Sequence, residues 1–112
     1  EVAMIGCLFF MHDVYILYSS SFDRYYTGES VNARMRTIQH NNSFYVKAST
    51  SFATDWELVL VLSLEDRSSA LKVERYIKAM KSKVFIRKLV LDTGFREEFK
   101  SIVAKKFGVR IH

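Results

Sequence analysis

The sequence predicts a small α+β domain, a three-stranded and mainly antiparallel sheet flanked by four helices. Two apolar runs of strand length, VYILYS (14–19) and WELVLVLSL (56–64), supply strands. Stretches near 31–41, 66–81, 83–90 and 94–106 carry helical periodicity behind Ser or Asp caps. The chain has 112 residues, 49% of them hydrophobic, and no Pro, which suits one domain around one core.

Taken in order, residues 1–11 include the run AMIGCLFFM, too short to span a bilayer and lacking the basic start of a signal peptide. VYILYS is apolar on both faces, as a buried strand requires. SSFD is turn chemistry and RYYTGE a second strand, so the two pair as a β-hairpin. Ser30 is the expected N-cap of the first helix, on which Arg36 and His40 lie at i and i+4 and share a face. Hairpin and helix can therefore bring Tyr15, Tyr26, Arg36 and His40 to one place. Asn41 to Asp55 is a long polar loop whose Phe44, Tyr45 and Phe52 either stack on bases or anchor the loop to the core.

WELVLVLSL alternates, with Trp56, Leu58, Leu60, Leu62 and Leu64 expected on one face. Asp66 caps the next helix, whose apolar stripe is Ala70, Val73, Ile77 and Met80. Glu74 sits at the edge of that stripe, where a partly desolvated carboxylate needs a partner or a metal. Lys78, at i+4, is the simple partner. A short basic helix follows, with Val84, Phe85, Leu89 and Val90 expected inward. The last helix buries Phe95, Phe99, Ile102 and Val103, with Glu97 and Glu98 in its first turn, Lys105 and Lys106 in its last, and Gly108 behind it.

Charge is unevenly spread. Residues 1–66 have four bases against eight acids, whereas residues 67–88 have eight bases against Glu74 alone. So concentrated a basic segment points either to a polyanionic partner, most simply nucleic acid, or to a solvated helix face. In the first case Lys78, Lys81, Lys83, Arg87 and Lys88 are the binding residues. The single Cys7 excludes an internal disulfide and a multi-Cys zinc site, in keeping with a reducing, cytoplasmic compartment.

The stretch from Val14 to His40 resembles the GIY-YIG nuclease domain. Val14-Tyr15-Ile16 matches the first half-motif and Tyr26-Thr27-Gly28 the second. Arg36 and His40 fall where the family has its Arg and its His or Tyr, and Ala70 to Glu74 resembles the helix that supplies its metal-binding Glu. An ordered set of five residues is far more specific than either half-motif. The resemblance spans about Asp13 to Val90 and is closest to the short bacterial members similar to the excinuclease-C N-terminal domain. Met11 sits where such members tend to start, so residues 1–10 are expected to be an extension outside the working fold, or else an extra edge strand. The final helix is expected to be appended to the core.

What the resemblance implies is phosphodiester hydrolysis in DNA, in repair or processing, with one divalent cation, Mg²⁺ or Mn²⁺. Tyr15, Tyr26, Arg36, His40 and Glu74 would be the catalytic residues and Glu74 the metal ligand. Two other functions stay open: a nucleic-acid-binding module with a decayed site, and a protein-interaction domain using the aromatic loop.

Overall fold

A computed structural model describes residues 11–42 and 50–112. The elements are β1 (His12–Ser19), β2 (Arg24–Ser30), α1 (Ala33–Asn41), β3 (Trp56–Leu64), α2 (Arg67–Ala79), α3 (Lys83–Leu91) and α4 (Thr93–Phe107). The three strands form one antiparallel sheet in the order β2-β1-β3. The fold is thus the α+β architecture read from the sequence. The expected N-terminal extension (1–10) and the aromatic residues Phe44 and Tyr45 lie outside the described residues. Among the described residues no helix is long and apolar enough to cross a membrane.

The hairpin turn is clasped from outside. Asp55 accepts from the Ser19 hydroxyl at 2.7 Å and from the Ser21 amide at 3.0 Å, tying the turn to the start of β3. Those bonds favour the charged carboxylate and hold its pKa down at about 2. Asp23 closes the turn in the left-handed region, at φ 50°, a conformation that Asp tolerates.

The sheet is buried on both faces by different helices. Val14, Ile16, Leu62 and Leu64 pack with Ala70, Val73 and Ile77 of α2, Leu89 of α3, and Phe99 and Val103 of α4. On the other side Tyr15 and Leu17 pack with Ala33 of α1, Ala53 and Trp56. Each large apolar side chain so buried stabilises the fold by about 1.5–3 kcal/mol. The tail after α4 adds Val109 and Ile111 to the first core, and the His112 amide donates to the Ser63 carbonyl at 2.8 Å.

The even alternation expected of β3 does not hold. Ile16 pairs with Leu60 but Leu17 pairs with Leu58, so Val59 is an extra residue in the ladder. A bulge of one residue reverses which face each following side chain takes. Trp56 and Leu58 therefore face α1, whereas Leu62 and Leu64 face α2 and α4. Only this reversal brings the Trp56 indole to the α1 side, where it matters for the site.

The first helix also starts later than expected. Ser30 pairs with Asp13 and stays in the strand, and its hydroxyl accepts from the Asn32 amide. The N-cap is Asn32, whose side chain accepts from the Met35 amide at 3.0 Å. Three residues expected inward are exposed: Met80 at the end of α2, Val84 and Ile102. Val84 and Ile102 each lie next to a packed neighbour, Phe85 or Val103, and one helical step of about 100° turns them to solvent. Glu97 and Glu98 fall in the second turn of α4, since the helix begins at Thr93. Gly108 ends it at φ 67°, where a side chain would be strained.

Candidate active site

Tyr15 stands on the central strand opposite Gly28 of β2, and both are side by side on the α1 face. Its phenol end lies against that glycine. A Cβ at Gly28 would sit 2.6 Å from the Tyr15 hydroxyl and 2.7 Å from its Cζ. Gly28 is thus the one residue type that lets the phenol cross β2, and the ring ends 1% exposed.

The Tyr15 hydroxyl meets His40 Nε2 at 3.2 Å. His40 comes from the last turn of α1 and is 4% exposed. Its other ring nitrogen, Nδ1, is 2.7 Å from Thr50 Oγ1. Tyr26, two residues before Gly28 on β2, brings its ring centroid to 5.1 Å from His40 and 6.3 Å from Tyr15. Burial pushes the His40 pKa below its ordinary value of 6.5, and the Arg36 charge one turn earlier pushes it the same way. At neutral pH the imidazole is uncharged and holds one acceptor nitrogen.

Glu74 joins this cluster through Lys78. Its carboxylate, 15% exposed, is 2.9 Å from Lys78 Nζ, and that ammonium also lies 5.7 Å above the Tyr26 ring. Of the two readings of Glu74, the i+4 pair with Lys78 is the one that forms, and it forms beside Tyr26. Glu29, which follows the motif glycine, is within hydrogen-bond distance of His12 Nδ1 at 3.0 Å and pairs with Arg67 at 3.7 Å.

The basic residues divide. Lys78, Lys81 and Lys83 line two adjoining grooves, each of about 330 Å³, that share Tyr25, Lys81 and Ile86. One begins at Tyr26 and the other ends at Asp23 and Arg24 on the hairpin turn. Lys83 is bonded to Asp23, and Arg87 approaches the same carboxylate at 3.9 Å. Lys88 instead leans over Phe95, 5.8 Å from the ring centroid. Phe52, expected either to stack on bases or to anchor its loop, packs edge-on against Phe22 and Trp56.

Glu74 is a hard oxygen ligand, and among the described residues no group of three or more His, Cys, Asp or Glu converges to hold a metal. One carboxylate fits Mg²⁺ or Mn²⁺, which keep several waters and take further oxygens from a substrate phosphate. It does not fit a metal that needs a closed protein cage.

Two contacts in this site have no signature in the sequence: the seat of Tyr15 on Gly28, and the bond from Thr50 to His40. Both depend on which residues face each other across β1–β2 and across the loop after α1.

No curated protein and no solved structure gives a significant match to the chain. The model of the GIY-YIG catalytic domain matches residues 11–88, from the start of β1 through most of α3, and takes in every residue of the cluster. On that match, over more than half of its 112 residues, the chain belongs to the GIY-YIG catalytic-domain family, a family of nucleases.

Proposed function

We propose that the protein is a divalent-metal-dependent endonuclease that hydrolyses phosphodiester bonds in DNA, and that it works in DNA repair or processing. The observation that carries this reading is the buried Tyr15 hydroxyl within hydrogen-bond reach of a neutral His40. A tyrosine hydroxyl titrates near ~10 in water, too high to serve alone as a base at neutral pH. With His40 as acceptor, Tyr15 takes a proton from the attacking water while its own proton passes to Nε2. The water oxygen bonds to phosphorus and the bond to the leaving oxygen breaks. Arg36 faces the charge growing on the phosphoryl oxygens, which a guanidinium meets with two parallel bonds. Tyr26 orients water or phosphate beside the imidazole.

Members of the family generally use a divalent metal, and Glu74 is the residue that would hold it here. A bound Mg²⁺ or Mn²⁺ would polarise a phosphoryl oxygen and stabilise the leaving group. The proposed domain takes residues 1–112 as a single unit, with α4 and the tail appended beyond the family-matched region.

The test is nicking of supercoiled plasmid with and without Mg²⁺ or Mn²⁺. Metal-dependent nicking supports the nuclease. DNA binding without nicking supports the second reading, a binding module with a decayed site, which the grip of Lys78 on Glu74 favours.

Two outcomes follow from the geometry. Because His40 titrates below its ordinary 6.5, the acceptor form survives mild acid. Cleavage should hold down to pH 6.5 and fall only below it, as the imidazole protonates. An acid limb centred at or above pH 6.5 would remove His40 from the acceptor role.

The second outcome concerns the path of the DNA, which we place along the two grooves past Lys78, Lys81 and Lys83, with Arg87 and Lys88 contributing charge from α3. The double change Lys81→Ala and Lys83→Ala should weaken binding to all sequences alike. Each lost phosphate contact reduces the slope of log affinity against log salt by about 0.9, so two reduce it by about 1.8. An unchanged slope in a salt titration would leave these bases as solvating charges.

A further inference from the structure

We infer that Thr50 is a positioning residue that sets the tautomer of His40, and so decides which way the proton of Tyr15 can move. The inference rests on the proposed proton relay for its use in catalysis, but the tautomer is a property of the free protein.

Thr50 is 2% exposed, and its Oγ1 lies 2.7 Å from His40 Nδ1. It is held there from its own backbone. The Thr50 carbonyl accepts from the Trp56 indole at 3.1 Å and from the Ala53 amide at 3.3 Å. Trp56 is in turn locked to α1, since the Asn41 side chain accepts from the Trp56 amide at 2.7 Å and donates to its carbonyl at 2.9 Å. Asn41 is the residue after His40. The bulge in β3 that turns Trp56 toward α1 thus fixes both ends of the Thr50–His40 contact.

A neutral imidazole has one N–H and one acceptor, and each of its nitrogens here faces a hydroxyl. Two arrangements satisfy both contacts. In one, Tyr15 donates to Nε2 and Nδ1–H donates to Thr50. In the other, Thr50 donates to Nδ1 and Nε2–H donates to Tyr15. The first puts the stronger acid, the phenol, on the basic ring nitrogen and the stronger acceptor, the aliphatic oxygen, on the ring N–H. A phenol oxygen shares its lone pairs with the ring and accepts poorly. The first arrangement is therefore the stable one, and it is also the only one in which His40 can receive the proton of Tyr15. In the second the ring already carries a proton at Nε2 and blocks the transfer. The partner of one ring nitrogen sets the state of the other, as in other histidine sites.

The direct test is a two-bond ¹H–¹⁵N correlation spectrum of the free, metal-free protein at pH 7.5. His40 is distinguished from His12 and His112 by its loss in His40→Gln. The wild type should show Nδ1 protonated and Nε2 bare. Thr50→Val, which keeps the shape and removes the acceptor, should shift His40 toward Nε2–H, while Thr50→Ser should keep the wild-type pattern. In the nicking assay Thr50→Val should be slower on the order of 10–100-fold, the range found when a metal-bound histidine loses its orienting partner. Thr50→Ser should recover most of the rate. Wild-type His40 protonated at Nε2 overturns the inference without any variant, and so does an unchanged tautomer in Thr50→Val. An Nδ1–H pattern in a protein that never nicks DNA leaves the positioning role intact and removes the nuclease reading.

Discussion

Glu74→Ala should reduce metal-dependent nicking by a factor on the order of 10²–10³ or more, with little change in fold. The expected size follows from what one carboxylate does in this site. It is linked to the tyrosine cluster through Lys78, and as the proposed metal ligand its loss would remove the metal and the charge stabilisation of the phosphate together. The fold has little at stake. Alanine suits the interior of a 13-residue helix, and the lost pair with Lys78 is an i+4 contact worth a few tenths of a kcal/mol. DNA affinity should hold or rise, because Lys78 is released beside the groove that it lines. Nicking, affinity and melting temperature measured on the one variant separate the roles. Nicking that survives would take Glu74 out of the metal site. A large fall in melting temperature would make it structural, part of how α2 docks.

Glu74 also illustrates what was legible in the sequence. The helix periodicity of α2 and the cap at Asp66 are local properties, so its bounds and the position of Glu74 at the edge of its stripe follow from spacing alone. The bounds of β3 are local in the same way. The faces of β3 are not. They depend on the extra Val59, which arises where the strand meets β1, and no alternation within WELVLVLSL reveals it. The N-cap of α1 failed for a related reason: Ser30 is a good cap by type, but its pairing with Asp13 keeps it in the strand. In the site, the meeting of Tyr15, Tyr26 and His40 follows from a hairpin leading into a helix. Thr50 could not be read. It lies ten residues past His40, and its contact exists because Trp56 holds the Thr50 carbonyl while Asn41 ties Trp56 to the first helix. The basic segment was legible as charge, but its use was not. Asp23, far off in sequence, draws Lys83 and Arg87 to the hairpin turn.

Gly28→Ala should lower cleavage roughly 100-fold and cost about 1–3 kcal/mol of stability, as expected for overpacking a full interior. The new methyl would lie 2.6 Å from the Tyr15 hydroxyl, 2.7 Å from its Cζ and 3.0 Å from Cε2 of Tyr26. All three atoms belong to rigid rings, and Tyr15 is buried, so its ring cannot swing clear at low cost. Relief requires Tyr15 to shift by several tenths of an ångström. Its bond to His40 is already 3.2 Å, near the outer limit for a hydroxyl, so a shift away from the strand breaks it. Misplacement on the ångström scale in a reacting group costs about 100-fold in rate. Two effects oppose the loss. Alanine is the better strand residue by about 0.5–1 kcal/mol, and DNA binding by the grooves is untouched. The expected signature is therefore a slow enzyme that binds DNA as the parent does and melts modestly lower. Adding Tyr15→Phe to Gly28→Ala removes the nearest clashing atom and should recover part of the melting temperature without recovering any cleavage. A Gly28→Ala protein that nicks at the parental rate would mean that the Tyr15–His40 contact is not used in the reaction.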